Sequence, residues 1–255
     1  IFWGGAGLEG FLVRPLESLA ARAVKVALLE VPGMTPLPLR SGGAWEEEDH
    51  DHGHDPDHDS DHDQKAGSSA GVAKAPSDPH RWLDPRQAGA MGLAIAEALS
   101  GVDPARAAAY RTNAEALSRR LEGLDRELEA ELAPVRKRPY IVFHDAYQYL
   151  EHRYGLNAVG SIMVNPEHPP GAKRVREITK RIADTGAVCL FTEPQYSPRL
   201  AETVMADHPV RLGVLDPLGG AIPEGPEHYF ELMRGLSRSL AHCLSQTAPA
   251  PVGGR

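Results

Sequence analysis

The sequence predicts an α/β fold built on parallel sheets, and three observations carry the prediction. Beyond Pro134, short apolar runs alternate with amphipathic stretches over short loops, the pattern of right-handed βαβ units with helices on both faces of a parallel sheet. The chain opens on Ile1-Phe2-Trp3-Gly4-Gly5, which reads as the end of a buried strand running into a glycine-rich turn. Between them, residues 103–132 predict one helix of roughly 30 residues, or ~45 Å. That length exceeds what a small domain needs and suits a connection between two lobes.

The elements can be taken in chain order. Residues 8–22 carry apolar side chains at Leu8, Phe11, Leu12, Leu16, Leu19 and Ala20, a helical period interrupted by Pro15. Residues 24–29 fit a strand. Residues 42–77 turn polar, acidic and His-rich and then Gly/Ser/Ala-rich, the composition of an unpacked insertion. Asp84 followed by Pro85 predicts a capped helix over 85–99, and Asp103-Pro104 repeats the signal before the long helix. Strands are then expected over 140–143, 158–163, 187–191 and 210–215, with helices over 146–154, 171–185, 198–206 and 228–244. This divides the chain into an N-terminal lobe over 1–100 with an insertion at 42–77, a linking helix over 101–134 and a C-terminal lobe over 135–255.

Composition narrows the function. The 255 residues carry 27 Lys+Arg, 35 Asp+Glu and 12 His, for a formal charge of -8. Ten of the carboxylates and five histidines (His50, His52, His54, His58, His62) fall between Glu46 and Asp63, where there is no cation. Outside that segment 25 acids face 27 bases. A near-neutral body with an acidic insertion lacks the clustered cations a nucleic-acid partner requires. No run approaches the ~18 apolar residues of a membrane span. The opening has no initiator Met, charged n-region or small-residue cleavage site, so further residues upstream, with any export signal, are expected.

Four residues share one address. His144, Glu193 and Asp216 each follow a predicted strand, and His80 precedes a capped helix. In parallel sheets ligands gather outside the carboxyl ends of the strands. Two imidazoles with carboxylates suit a borderline divalent ion such as Zn²⁺. Each alone has an ordinary reading: a packed histidine, or an aspartate forming a turn before proline. Their common location is what points to a metal. The acidic His-rich segment offers many ligands without fixed geometry, so weak, fast-exchanging binding of several divalent ions is expected there. Cys189 and Cys243 are either a disulfide or two buried thiols. No nucleophile elbow, P-loop, GxGxxG or HExxH motif is present.

Six ordered segments carry a family resemblance: Phe2-Trp3-Gly4-Gly5-Ala6-Gly7-Leu8-Glu9-Gly10-Phe11, Asp78-Pro79-His80-Arg81-Trp82-Leu83-Asp84-Pro85, Phe143-His144-Asp145-Ala146-Tyr147, Val164-Asn165-Pro166-Glu167, Phe191-Thr192-Glu193-Pro194-Gln195-Tyr196 and Leu215-Asp216-Pro217-Leu218-Gly219. Together they resemble the zinc-specific periplasmic solute-binding proteins of bacterial ABC transporters. The resemblance implies two lobes, each a parallel sheet flanked by helices, joined by a rigid helix, with one metal site in the cleft. It implies His80 and His144 as ligands, a further ligand His upstream of residue 1, and Asp216 at a position that varies among relatives. Glu193 belongs to a motif but is not implied as a ligand. It further implies a disulfide between Cys189 and Cys243, a periplasmic location, Zn²⁺ as transported ligand and a membrane permease as partner. A periplasmic zinc chaperone as second partner, a monomeric state and no turnover complete the expectation. Binding needs neutral imidazoles, so affinity is expected to fall as pH drops through about 6.5. The rival readings are a manganese-binding protein of the same fold, a zinc-dependent hydrolase, and a metal buffer acting through the His-rich segment.

Overall fold

The computed structural model describes residues 1–41, 45, 76–163, 171–205, 208 and 210–246. Two parallel sheets organise them. The first pairs β1 (Phe2–Trp3) with β2 (Val26–Ala27). The second has four strands in the order β4-β3-β5-β6, formed by Asn157–Met163, Pro139–His144, Cys189–Thr192 and Arg211–Val214 respectively. All of its pairings are parallel, as the alternation of strand and helix predicts.

The side-chain alternation of a pleated strand sorts residues between the two faces of this sheet. Tyr140 and Val142 of β3, with Cys189 and Phe191 of β5, join the core packed by α3 (Ala107–Leu132), α4 (Gln148–Tyr154) and α7 (His228–Ser245). Their neighbours Ile141, Phe143 and Leu190 join the opposite core with α5 (Ala172–Thr185) and α6 (Arg199–Met205). Close packing fixes one glycine: a Cβ at Gly213 of β6 would lie 2.4 Å from the ring of Phe191, which is fully buried. Gly186, with φ of 64°, ends α5 in the left-handed conformation that glycine adopts without penalty.

Where sequence and structure differ, the differences are local. Residues 8–22 do not form one interrupted helix; a 3-10 turn at Gly10–Leu12 leads into α1 (Val13–Leu19). Pro15 is the third residue of α1, where a backbone N–H has no partner inside the helix anyway. The helix starts around its proline. The strand expected over 24–29 is only two residues long, because Leu28–Glu30 winds into a 3-10 turn whose Leu29 N–H reaches Gly4 O at 3.2 Å.

α2 (Pro85–Val102) starts as predicted: the Asp84 side chain accepts from Arg86 N at 2.8 Å, with Pro85 in the first turn. α3 spans 26 residues, about 39 Å, with Pro104–Arg106 as a 3-10 turn before it. It packs on α2 and on α7. Arg120 pairs with Glu227 and Arg234 with Glu127 across the α3–α7 seam. The two cysteines, left open between a bridge and free thiols by their residue pattern alone, form a disulfide that joins β5 to α7. The His-rich segment from His50 to His62 and the Val164 to Glu167 motif lie outside the described residues.

Candidate metal centre

His80 and His144 reach one place by different routes. β3 delivers His144 at its carboxyl end, and the residue is 7 % exposed. His80 sits just before the 3-10 turn Arg81–Leu83 that leads into α2. The imidazole rings meet with centroids 5.4 Å apart, edge on. Two imidazoles bound through nitrogen to one tetrahedral zinc place their centroids roughly 5 Å apart. The observed separation is compatible with that arrangement and also falls within the range of roughly 4.5–7 Å found for ordinary packed rings.

Each ring is held by a carboxylate. Asp78 Oδ1 lies 2.8 Å from His80 Nδ1 and also accepts the His80 backbone N–H at 2.8 Å. Glu193 Oε1 lies 2.6 Å from His144 Nδ1, and Glu193 is 3 % exposed. A carboxylate only accepts, so the neutral rings carry their proton on Nδ1 and leave the Nε2 lone pair for a metal. A carboxylate behind a ligating histidine fixes its tautomer and raises its donor strength. Aromatic rings wall the pair: Trp82 lies 5.2 Å from the His80 ring, and Tyr147 and Tyr196 lie 6.3 and 6.0 Å from His144. Burial, and the charge of Glu193 after it, push the Tyr147 and Tyr196 hydroxyls above the usual phenol range. Both phenols are thereby neutral beside the imidazoles.

Asp216 is differently placed. Its Oδ1 accepts from Gln195 Nε2 at 2.7 Å and Leu218 N at 3.1 Å, and its Oδ2 accepts from Gly220 N at 2.8 Å. Burial opposes the charge, but these donors, with Gly219 N, outweigh it and hold the carboxyl below the usual range. Among the described residues no three of His, Cys, Asp and Glu converge on one metal-sized point. The structure thus brings His80 and His144 together and leaves Asp216 tied to its own loop.

A second polar cluster adjoins the first. Arg40 pairs with both Asp145, the residue after His144, and Glu151 of α4, while its guanidinium lies 3.5 Å from the Trp45 ring centroid. Burial pushes Glu151 up to about 7 despite Arg40. Sequence reasoning misses the roles of three residues at the site. Glu193 stands out for its place after a strand, but not as the partner of His144. Asp78 and Gln195 stand out only as members of their segments. For Asp78 a signal exists, since an Asp two residues before a target N–H is the spacing of an Asx turn.

With this geometry established, comparison with known proteins identifies relatives. Residues 1–243 match the family described as "Zinc-uptake complex component A periplasmic". The high-affinity zinc uptake system protein ZnuA of Brucella suis is 46% identical over 258 residues, covering 96% of this chain and 77% of the relative. Its counterpart in Yersinia pestis is 32% identical, covering 96% and 75%. A crystal structure of ZnuA superposes with a TM-score of 0.74 at 23% identity, covering 96% of this chain and 79% of that one, a likeness of fold.

Proposed function

This chain belongs to the periplasmic zinc-uptake complex component A family, and from that premise we propose that it captures Zn²⁺ and delivers it to the permease of an ABC transporter. It acts in the periplasm as a carrier, without chemical turnover. The observation that carries the reading is the pair His80 and His144, each with Nδ1 on a carboxylate and the two rings 5.4 Å apart. Imidazole nitrogen suits zinc better than the harder manganese ion, which prefers oxygen. Asp216, on the loop after β6, is the carboxylate ligand in this reading.

Removing a ligating imidazole leaves zinc with one strong donor fewer, so His80→Ala and His144→Ala are each expected to lower zinc affinity of the full-length protein by at least tenfold. Competition titration with a zinc chelator measures it, and unchanged affinity in both variants overturns the assignment. In the same assay Mn²⁺ should displace Zn²⁺ only at large excess. The segment 46–63 supplies weak sites that concentrate zinc near the tight one. Calorimetry on a chain lacking 46–63 should lose the weak phase and keep the tight phase; loss of the tight phase refutes this role.

A further inference from the structure

The strand order β4-β3-β5-β6 puts β5 between the strand that ends on His144 and the strand that leads to Asp216. Tyr140 of β3 pairs with Cys189 of β5, and Thr192 of β5 pairs with Val214 of β6. Leu215 N donates to Thr192 O at 2.9 Å, so the parallel register continues past the last strand residues. The residues after β5 therefore emerge between the two candidate ligands.

Those residues make a tight turn. Tyr196 N donates to Glu193 O at 3.1 Å, closing a four-residue turn with Pro194 in its second position. Proline fixes φ there, so the side chains before and after it leave the turn in set directions. Glu193 goes to one side, and its Oε1 meets His144 Nδ1 at 2.6 Å. Gln195 goes to the other, and its Nε2 donates to Asp216 Oδ1 at 2.7 Å. Leu218 N also donates to Oδ1, Gly220 N donates to Oδ2, and Gly219 N adds a further donor to the same carboxyl. A fixed Oδ1 sets where Oδ2 lies.

We infer that Glu193-Pro194-Gln195 is a bracket that sets two zinc ligands at once, with Glu193 aiming His144 and Gln195 aiming Asp216. Gln195 is a positioning residue: it acts through Asp216 and never meets the ion. The inference rests on the reading of His144 and Asp216 as zinc ligands. Gln195 is exposed, so its truncation leaves the core intact and its effect can be separated from folding.

The experiment titrates full-length protein with zinc against a chelator, for His144→Ala, Asp216→Asn, Gln195→Ala and the double variant Gln195→Ala with Asp216→Asn. Partners behind a ligand are typically worth 10–100-fold in metal affinity. Gln195→Ala should weaken zinc binding about tenfold, alter the visible spectrum of the Co²⁺-loaded protein, and leave the melting temperature of the zinc-free protein unchanged. In the Asp216→Asn background it should cost nothing further, because the residue it positions is already disabled. Gln195→Ala binding like wild type while Asp216→Asn binds weakly overturns the inference, as does a full Gln195→Ala loss on top of Asp216→Asn. If Asp216→Asn itself has no effect, Asp216 is not a ligand and the Gln195 arm of the bracket falls with it. If His144→Ala has none, the metal-centre reading fails.

Discussion

At His80 one carboxylate oxygen serves two donors. Asp78 Oδ1 takes the backbone N–H and the ring nitrogen of the same residue, both at 2.8 Å, so the local turn and the ring orientation are set by one contact. Asp78 is itself 2 % exposed and its main chain is pinned, through Tyr149 Oη donating to Asp78 O at 3.1 Å and Asp78 N donating to Leu37 O at 3.0 Å. The histidine thus inherits the rigidity of the fold. Truncation by Asp78→Ala frees the ring and leaves the His80 N–H without its acceptor, so zinc affinity should fall about tenfold and stability by about 1–3 kcal/mol. Asp78→Asn retains a carbonyl acceptor and should lose less of both. Chelator competition and urea unfolding read the two quantities; an Asp78→Ala protein that binds zinc like wild type removes Asp78 from the site. The histidines themselves were legible because strand ends and the Pro-His-x-Trp-Leu-Asp-Pro segment are visible in one dimension. Glu193 and Gln195 were less so, because their partners lie 49 and 21 residues away, and only the sheet order brings them together.

Among the elements, α4 carries an unusual charge. Glu151 lies on its inner face, 6 % exposed, with Arg40 Nη1 at 2.6 Å from Oε2. Burial pushes its carboxyl up to about 7, and Asp145 and Asp78 add to that against the pull of Arg40. The sign comes from linkage: a carboxyl that holds its proton more tightly when folded favours the native state at low pH. Its contribution is present below the unfolded value of about 4.3 and is lost as pH rises through about 7. Thermal unfolding from pH 4.5 to 7.5 should therefore show wild type losing stability relative to Glu151→Gln as pH rises. A constant difference between the two proteins over that window contradicts the assignment. Element positions were largely legible in the sequence. Asp84-Pro85 marks the start of α2, and the apolar periods mark α5 and α7. The ends of α1 and β2 were not, because they depend on where Pro15 falls within a turn and on a backbone contact from Leu29 to Gly4. Nor was the Arg40 cluster, whose partners sit more than 100 residues along the chain.

For the whole molecule, the question is what ties the first half of the chain to the second. Polar contacts do so at the site: Trp82 Nε1 donates to Pro217 O at 3.0 Å, and Tyr229 Oη donates to Trp82 O at 2.8 Å. The His80 segment is thereby joined to the Asp216 loop. Farther away, the seam between α3 and α7 carries the pairs Arg120–Glu227 and Arg234–Glu127. These ion pairs are largely solvent-exposed and contribute little each. The disulfide between Cys189 and Cys243 is the stronger tie, joining the centre of the four-stranded sheet to the last helix across a separation of 54 residues. Closing a loop of that size stabilises by about 4 kcal/mol if the effect is loss of freedom in the unfolded chain. Its position also separates stability from binding. Cys189 opens β5, whereas Glu193 lies just past the other end of that strand, so the bridge and the metal centre lie at opposite ends of the same element. Cys189→Ala with Cys243→Ala should thus lower the unfolding free energy by about 4 kcal/mol, measured in urea, while the folded variant binds zinc within about twofold of wild type. A large loss of zinc affinity in protein shown by circular dichroism to be folded would mean that the strand transmits strain to its carboxyl end, and that the bracket after β5 depends on the bridge before it.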